Sequence, residues 1–144
     1  HEAVHDEFVT RFADMARALR VGPGLGESEI GPLVSEAARD KVMRLVDDAV
    51  SKGATIACGG RIPPAHNTGW FYEPTILTDV TSEMAVMHEE MFGPVASICK
   101  VASFDEALER ANASKFGLGA CLFTSRMDEA MRPFRPAWSG STIR

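Results

Sequence analysis

The sequence predicts an α/β fold in which a mostly parallel sheet is flanked by helices, and three observations carry that expectation. Segments whose apolar residues recur every three to four positions alternate with short apolar runs of strand length. Their order is helix, helix, strand, strand, strand, helix, strand, helix. At 144 residues the chain is long enough for one domain with its own core and too short for two of ordinary size. Its 45% hydrophobic and 24% charged residues are those of a soluble globular chain. No apolar run approaches the roughly 20 residues that cross a bilayer, and the first residues lack a basic end followed by an apolar stretch. A membrane protein and an intact secretory precursor are excluded on this reading.

From Asp6 to Leu19 the positions Phe8, Val9, Phe12, Met15, Ala16 and Leu19 form the apolar stripe of an amphipathic helix. Gly22-Pro23-Gly24-Leu25-Gly26 and Gly31-Pro32 stop it and make residues 21–34 an ordered loop. Ser35 is placed to cap a second helix, with Val42, Leu45, Val46 and Ala49 on one stripe and Gly53 as its stop. Ala54 to Cys58 then reads as a strand buried in a sheet. After a loop marked by Pro63-Pro64 and Asn67-Thr68-Gly69, Phe71 to Val80 reads as extended and Val95 to Val101 as a further apolar strand. Ser103-Phe104-Asp105-Glu106 is a capping box opening a helix that Gly117 should stop. Leu118 to Phe123 reads as a buried strand. Met127 onward reads as a helix broken early by Pro133 and Pro136, and Ser139 to Arg144 as the start of another strand.

Charge and side-chain chemistry narrow the function classes. Twenty acidic against fifteen basic residues give a net charge of −5, which repels a phosphate backbone, and no basic cluster offsets it, so nucleic acid is not an expected partner. The three cysteines, Cys58, Cys99 and Cys121, include no C-x-x-C pair and read as packed thiols of a reducing cytoplasm. His88-Glu89-Glu90-Met91-Phe92 begins like a zinc motif but has Phe92 where the second histidine belongs, so no metal site is expected. Gly22, Gly24 and Gly26 follow a helix instead of a strand, in G-x-G-x-G spacing. They read as a loop using positive φ angles and not as a dinucleotide fingerprint. The remaining candidate is the turn Glu89-Glu90-Met91-Phe92-Gly93-Pro94-Val95, which leads from polar residues directly into a strand. Adjacent carboxylates are ordinarily a solvated patch. At a strand end, however, one of them can accept two hydrogen bonds from vicinal ribose hydroxyls, with the Phe92 ring as an apolar wall.

That turn resembles the E-E-x-F-G-P-V signature of the NAD(P)-dependent aldehyde dehydrogenases. Gly31-Pro32-Leu33 resembles the family's G-P-L segment, Gly69-Trp70-Phe71-Tyr72-Glu73-Pro74-Thr75-Ile76-Leu77 its G-x-F-x-x-P-T-L-L run, and Ala111 to Leu118 its A-N-x-x-x-Y-G-L element with Phe116 for the usual tyrosine. The likeness runs from His1 to about Met131. Val50-Ser51-Lys52-Gly53-Ala54-Thr55 and the loop from Gly22 to Leu33 look most like the succinate-semialdehyde dehydrogenases. The resemblance implies that Glu90 binds the nicotinamide ribose hydroxyls of NAD or NADP and that Phe92 packs beside the nicotinamide.

It equally implies what the chain does not carry. The family's catalytic cysteine, in a G-Q-x-C motif, and its general-base glutamate have no counterpart here. Residues 1–144 thus correspond to the C-terminal part of the catalytic domain, without the nucleotide-binding domain and the oligomerisation tail, and no catalytic residue is assigned. In the family, a thiolate attacks the aldehyde to give a thiohemiacetal, hydride passes from it to the nicotinamide, and water hydrolyses the resulting thioester to a carboxylate. The expectation is therefore a segment of a cytoplasmic, homo-oligomeric oxidoreductase, inactive by itself, whose aldehyde is that of the succinate-semialdehyde branch. Two rivals stand beside it. A non-catalytic binding or assembly module would expose an apolar face, and a small nucleotide-binding protein would bind NAD unaided at micromolar concentrations, where one edge of a cofactor site binds too weakly to be seen.

Overall fold

Helix α1 (Glu2–Ala18) of the computed structural model turns its small residues inward: Ala13 and Ala16 are buried, Val9 and Phe12 are half-buried. The larger apolar side chains of the expected stripe, Phe8, Met15 and Leu19, are exposed, Met15 to 71%. Periodicity identified the helix but misplaced its buried sector, because the alanines allow a closer approach to the sheet than the larger side chains would. The structure describes residues 1–66, 68–117, 119–132 and 141–142, the last pair by backbone alone. It divides into two units, residues 2–100 and residues 101–144 with His1.

In the first unit a loop follows α1, closed by a bridge between Val21 and Ile30 and by Gly22 donating to the Ile30 carbonyl at 2.9 Å. The Arg20 guanidinium reaches Glu29 at 2.7 Å, holding the Glu29 carboxyl down at about 2. Of the described glycines only Gly53, Gly59, Gly60 and Gly69 have positive φ, so Gly22, Gly24 and Gly26 do not use the left-handed freedom expected of them. Their loop is set by Pro23 and by the Arg20 fork, with Gly26 donating to the Pro23 carbonyl at 2.9 Å.

Helix α2 (Glu36–Ser51) starts where Ser35 accepts a hydrogen bond from the Ala38 amide at 3.2 Å. It ends in a paired reversal: Gly53, at φ 101°, donates to Val50, and Ala54 donates to the Ala49 carbonyl. Val42, Leu45, Val46 and Ala49 are all buried, as their spacing requires.

Three strands form the sheet in the order β1 (Thr55–Cys58), β2 (Thr75–Thr78), β3 (Val95–Ser97). The β1–β2 pairing is antiparallel with a bulge between Ile56 and Cys58; β2–β3 is parallel, Thr75 opposite Val95. Strand β2 is the central, fully buried one. Strand β1, expected to be buried, is an edge with Thr55 and Ile56 exposed; a short apolar run does not distinguish the two positions. Alternation along the strands divides the core. Leu77 and Val95 join Val42, Val46, Ala49 and Tyr72 on the α2 face, while Ile76 and Ala96 join Ala13, Ala16 and Cys58 on the α1 face. The two helices therefore cover opposite sides of the sheet. Burial pushes the Tyr72 hydroxyl up to about 12.

In the second unit Ser103 caps α3 (Phe104–Asn112) by accepting from the Glu106 amide at 3.1 Å, and the Glu106 carboxylate accepts from the Ala102 amide at 2.8 Å. The helix ends at Asn112, before the expected stop at Gly117. Strand β4 (Gly119–Ala120) pairs in parallel with β5 (Ser141–Thr142), where a terminal strand was expected. Helix α4 (Met127–Ala130) ends ahead of Pro133. The buried strand expected from Leu118 to Phe123 is not formed as such: β4 has two residues, and Phe123 is 94% exposed. Cys121 is exposed too, which corrects its reading as a packed thiol; Cys58 is buried and Cys99 half-buried. Leu118, Pro133 and Pro136 lie outside the described residues. Two of the three described strand pairings are parallel, in keeping with the α/β fold and mostly parallel pairing expected.

Candidate cofactor-contacting loop

The segment from His88 to Pro94 leaves a single 3-10 turn at Ala85–Met87 and enters β3. Its start is fixed by Asp48 on α2, whose carboxylate accepts from the Ala85 amide at 2.8 Å. Its end is fixed by the Thr75 amide donating to the Pro94 carbonyl at 2.8 Å. Between these points alternate residues are held. The Glu89 carboxylate takes the Arg44 guanidinium at 2.6 Å. Met91 packs on the core cluster of the α2 face. Gly93 lies so close to α2 that a Cβ there would stand 2.5 Å from Val42 Cγ2, which accounts for glycine at that position. The residues between the held ones face water: Glu90 is exposed and the Phe92 ring is 76% exposed. The backbone under Glu90 is pinned, because Lys41 Nζ donates to the Glu90 carbonyl at 2.6 Å.

Electrostatics separates the adjacent carboxylates. The Arg44 guanidinium holds the Glu89 carboxyl below its ordinary value, and Glu89 raises Arg44 in return. Among the described residues Glu90 has no ion pair. Of the two acids, Glu89 is the structural one and Glu90 presents its carboxylate to solvent two residues before an exposed aromatic ring. The sequence pointed to Glu90 and Phe92 as candidate site residues, and the structure places both of them exposed on this loop. It could not reveal Lys41 and Arg44, which lie forty-nine and forty-five residues away along the chain.

On its other side the loop end borders a cavity of about 370 Å³ between α1 and the sheet, lined by Phe12, Met15, Leu19, Ile30, Pro94 and Ala96. Among the described residues its walls are almost entirely apolar, and no acid or base lines it. Among the described residues no three His, Cys, Asp or Glu side chains are grouped to hold a metal ion, and no helix is long and apolar enough to cross a membrane. His88 bonds the Ser82 carbonyl and His66 the Val21 carbonyl at 2.8 Å.

Comparison with known proteins places the chain in a class. Residues 1–142 match the aldehyde dehydrogenase family, and the chain belongs to it. Over 133 residues it is 47% identical to a succinate-semialdehyde dehydrogenase [NADP(+)] of Mycobacterium avium (strain 104), a match covering 92% of this chain and 28% of the relative. The fold superimposes on a 3,6-anhydro-L-galactose dehydrogenase in complex with NAP at a TM-score of 0.90, with 39% identity, 99% of this chain and 30% of that one. A succinate-semialdehyde dehydrogenase from Burkholderia pseudomallei matches at 0.85, with 38% identity, 90% of this chain and 27% of that one. The chain thus spans little more than a quarter of the length of its relatives.

Proposed function

We propose that this chain is the C-terminal part of the catalytic domain of an aldehyde-oxidising enzyme, in which Glu90 receives the two hydroxyls of the nicotinamide ribose of NADP or NAD and Phe92 forms the apolar wall beside the ring. The observation that carries this reading is the alternation in the loop: Glu89, Met91 and Gly93 are anchored, while Glu90 and Phe92 face outward from a backbone held on α2. A carboxylate has the acceptor capacity for two hydroxyls, and holding its backbone reduces the ordering cost on binding. The bound nicotinamide supplies the hydride acceptor; the chain's own contribution is to hold the ribose. Glu90 is in this account a positioning group and not a nucleophile.

The relatives named for succinate semialdehyde and NADP(+) support the same aldehyde class and cofactor here; that the enzyme is homo-oligomeric and cytoplasmic is part of the proposal and follows from the family resemblance alone. The cysteine-bearing segment, the nucleotide-binding domain and the oligomerisation tail belong, on this reading, to the rest of the relatives' length. The isolated 144 residues supply one edge of the cofactor site, so with NAD or NADP and succinate semialdehyde they should show no turnover. Turnover at ordinary dehydrogenase rates contradicts this. One observation favours a second reading, an assembly module: Phe8, Met15 and Leu19 leave α1 with an exposed apolar face. A stable monomer in size-exclusion mass measurement counts against it.

A further inference from the structure

The loop is tied to α2 at two charged points, and they differ in kind. Lys41 holds the Glu90 main chain, while Arg44, one helical turn on, grips the Glu89 side chain through both oxygens, at 2.6 and 3.3 Å. Val42 and Leu45, their neighbours, are buried, so these two cations stand at the margin of the helix face that meets the core. A fork-to-carboxylate contact fixes direction as well as distance. Glu89 precedes Glu90, so rotating or releasing the Glu89 side chain transmits directly to the peptide from which the Glu90 carboxylate projects.

We propose that Arg44 is a positioning residue for cofactor binding, acting through Glu89 to hold the peptide that aims Glu90 at the ribose. The proposal rests on the cofactor reading given above. Its size follows from the setting: Arg44 and Glu89 are 54% and 41% exposed, so the pair works in water and supplies a modest bias. Losing it should weaken cofactor binding by about two- to fivefold.

The test uses the 144-residue chain, followed by NMR while NADP+ is titrated to tens of millimolar. The amide shifts of Glu90 and Phe92 give the dissociation constant, and backbone order parameters report the loop without ligand. Arg44→Ala should raise the constant by about two- to fivefold and lower the order parameters of residues 90–92, with the melting temperature within about 4 °C. Arg44→Lys should retain part of both, Arg44→Glu should retain neither, and Arg44→Glu with Glu89→Arg should restore them. Unchanged order parameters and affinity in Arg44→Ala overturn the proposal, as does failure of the folded charge-swapped protein to recover. If the unsubstituted chain shows no NADP+ shifts at Glu90 or Phe92 while the order parameters still fall in Arg44→Ala, the cofactor reading is what fails and the clamp stands.

Discussion

The contact between Gly93 and Val42 can be turned into a quantitative test, because it is what seats the loop against α2. A methyl group at position 93 would sit 2.5 Å from Val42 Cγ2 and 3.6 Å from both Val42 Cγ1 and Leu33 Cδ2. Val42 is 1% exposed and has no free direction in which to move. Overpacking of this kind costs about 1–3 kcal/mol. The lower backbone entropy of alanine in the unfolded chain offsets about 0.4–1 of it, leaving a net loss of about 0.5–2 kcal/mol. At roughly 3–4 °C per kcal/mol for a chain of this size, Gly93→Ala should lower the melting temperature by about 2–8 °C. Val42→Ala removes the methyls in question and is itself destabilising, by the lost burial of about two methyl groups. In that background the alanine at 93 has room, so the two costs should fall short of additive by at least about 0.5 kcal/mol. Thermal unfolding followed by circular dichroism on the four proteins completes the cycle. Additive losses, or no loss in Gly93→Ala, would refute the claim that the backbone of the loop is seated by contact with α2.

Three other outcomes follow from the same structure. Leu45→Ala empties a fully buried position on α2 and should cost about 2–5 kcal/mol in chemical denaturation. Ser35→Ala removes the side-chain acceptor for the Ala38 amide and should cost about 1 kcal/mol, whereas Ser35→Asp should retain most of it. The Glu29 carboxyl is held down at about 2 against an ordinary 4.5, so the stability from its contact with Arg20 is complete above the ordinary value and disappears as pH falls through about 2. An NMR titration of the Glu29 side chain should show that midpoint, and Arg20→Ala should return it toward 4.5.

What could be read from the sequence was local. Ser35, Gly53 and Ser103 mark helix ends by chemistry that acts over a few residues, and each does so in the structure. The loop from Glu89 to Val95 was legible for the same reason: its pattern of acids, ring, glycine and proline is contiguous. The features that escaped depend on what lies across space. Whether Ala54 to Cys58 is an edge or a centre depends on β2 having β3 on its other side, and β3 comes forty residues later. The buried sector of α1 was displaced because Ala13 and Ala16 are the residues small enough to approach Cys58 and Ile76 closely. Cys121 sits next to a strand of two residues, too short to be the buried element its apolar surroundings suggested. Arg44 joins Glu89 only because α2 and the loop pack together, and no spacing rule along the chain announces that pair.

The central claim is that Glu90 holds the ribose, and a crystal structure with NADP+ bound addresses it most directly. The protein to crystallise is a polypeptide joining these residues to the cysteine-bearing and nucleotide-binding parts of the family. The account predicts both Glu90 carboxylate oxygens, or one oxygen shared, at about 2.5–3.0 Å from the two nicotinamide ribose hydroxyls, the Phe92 ring against the nicotinamide, and Glu89 still on Arg44. A Glu90 side chain turned to solvent or paired with a cation, with the ribose held by other residues, contradicts it.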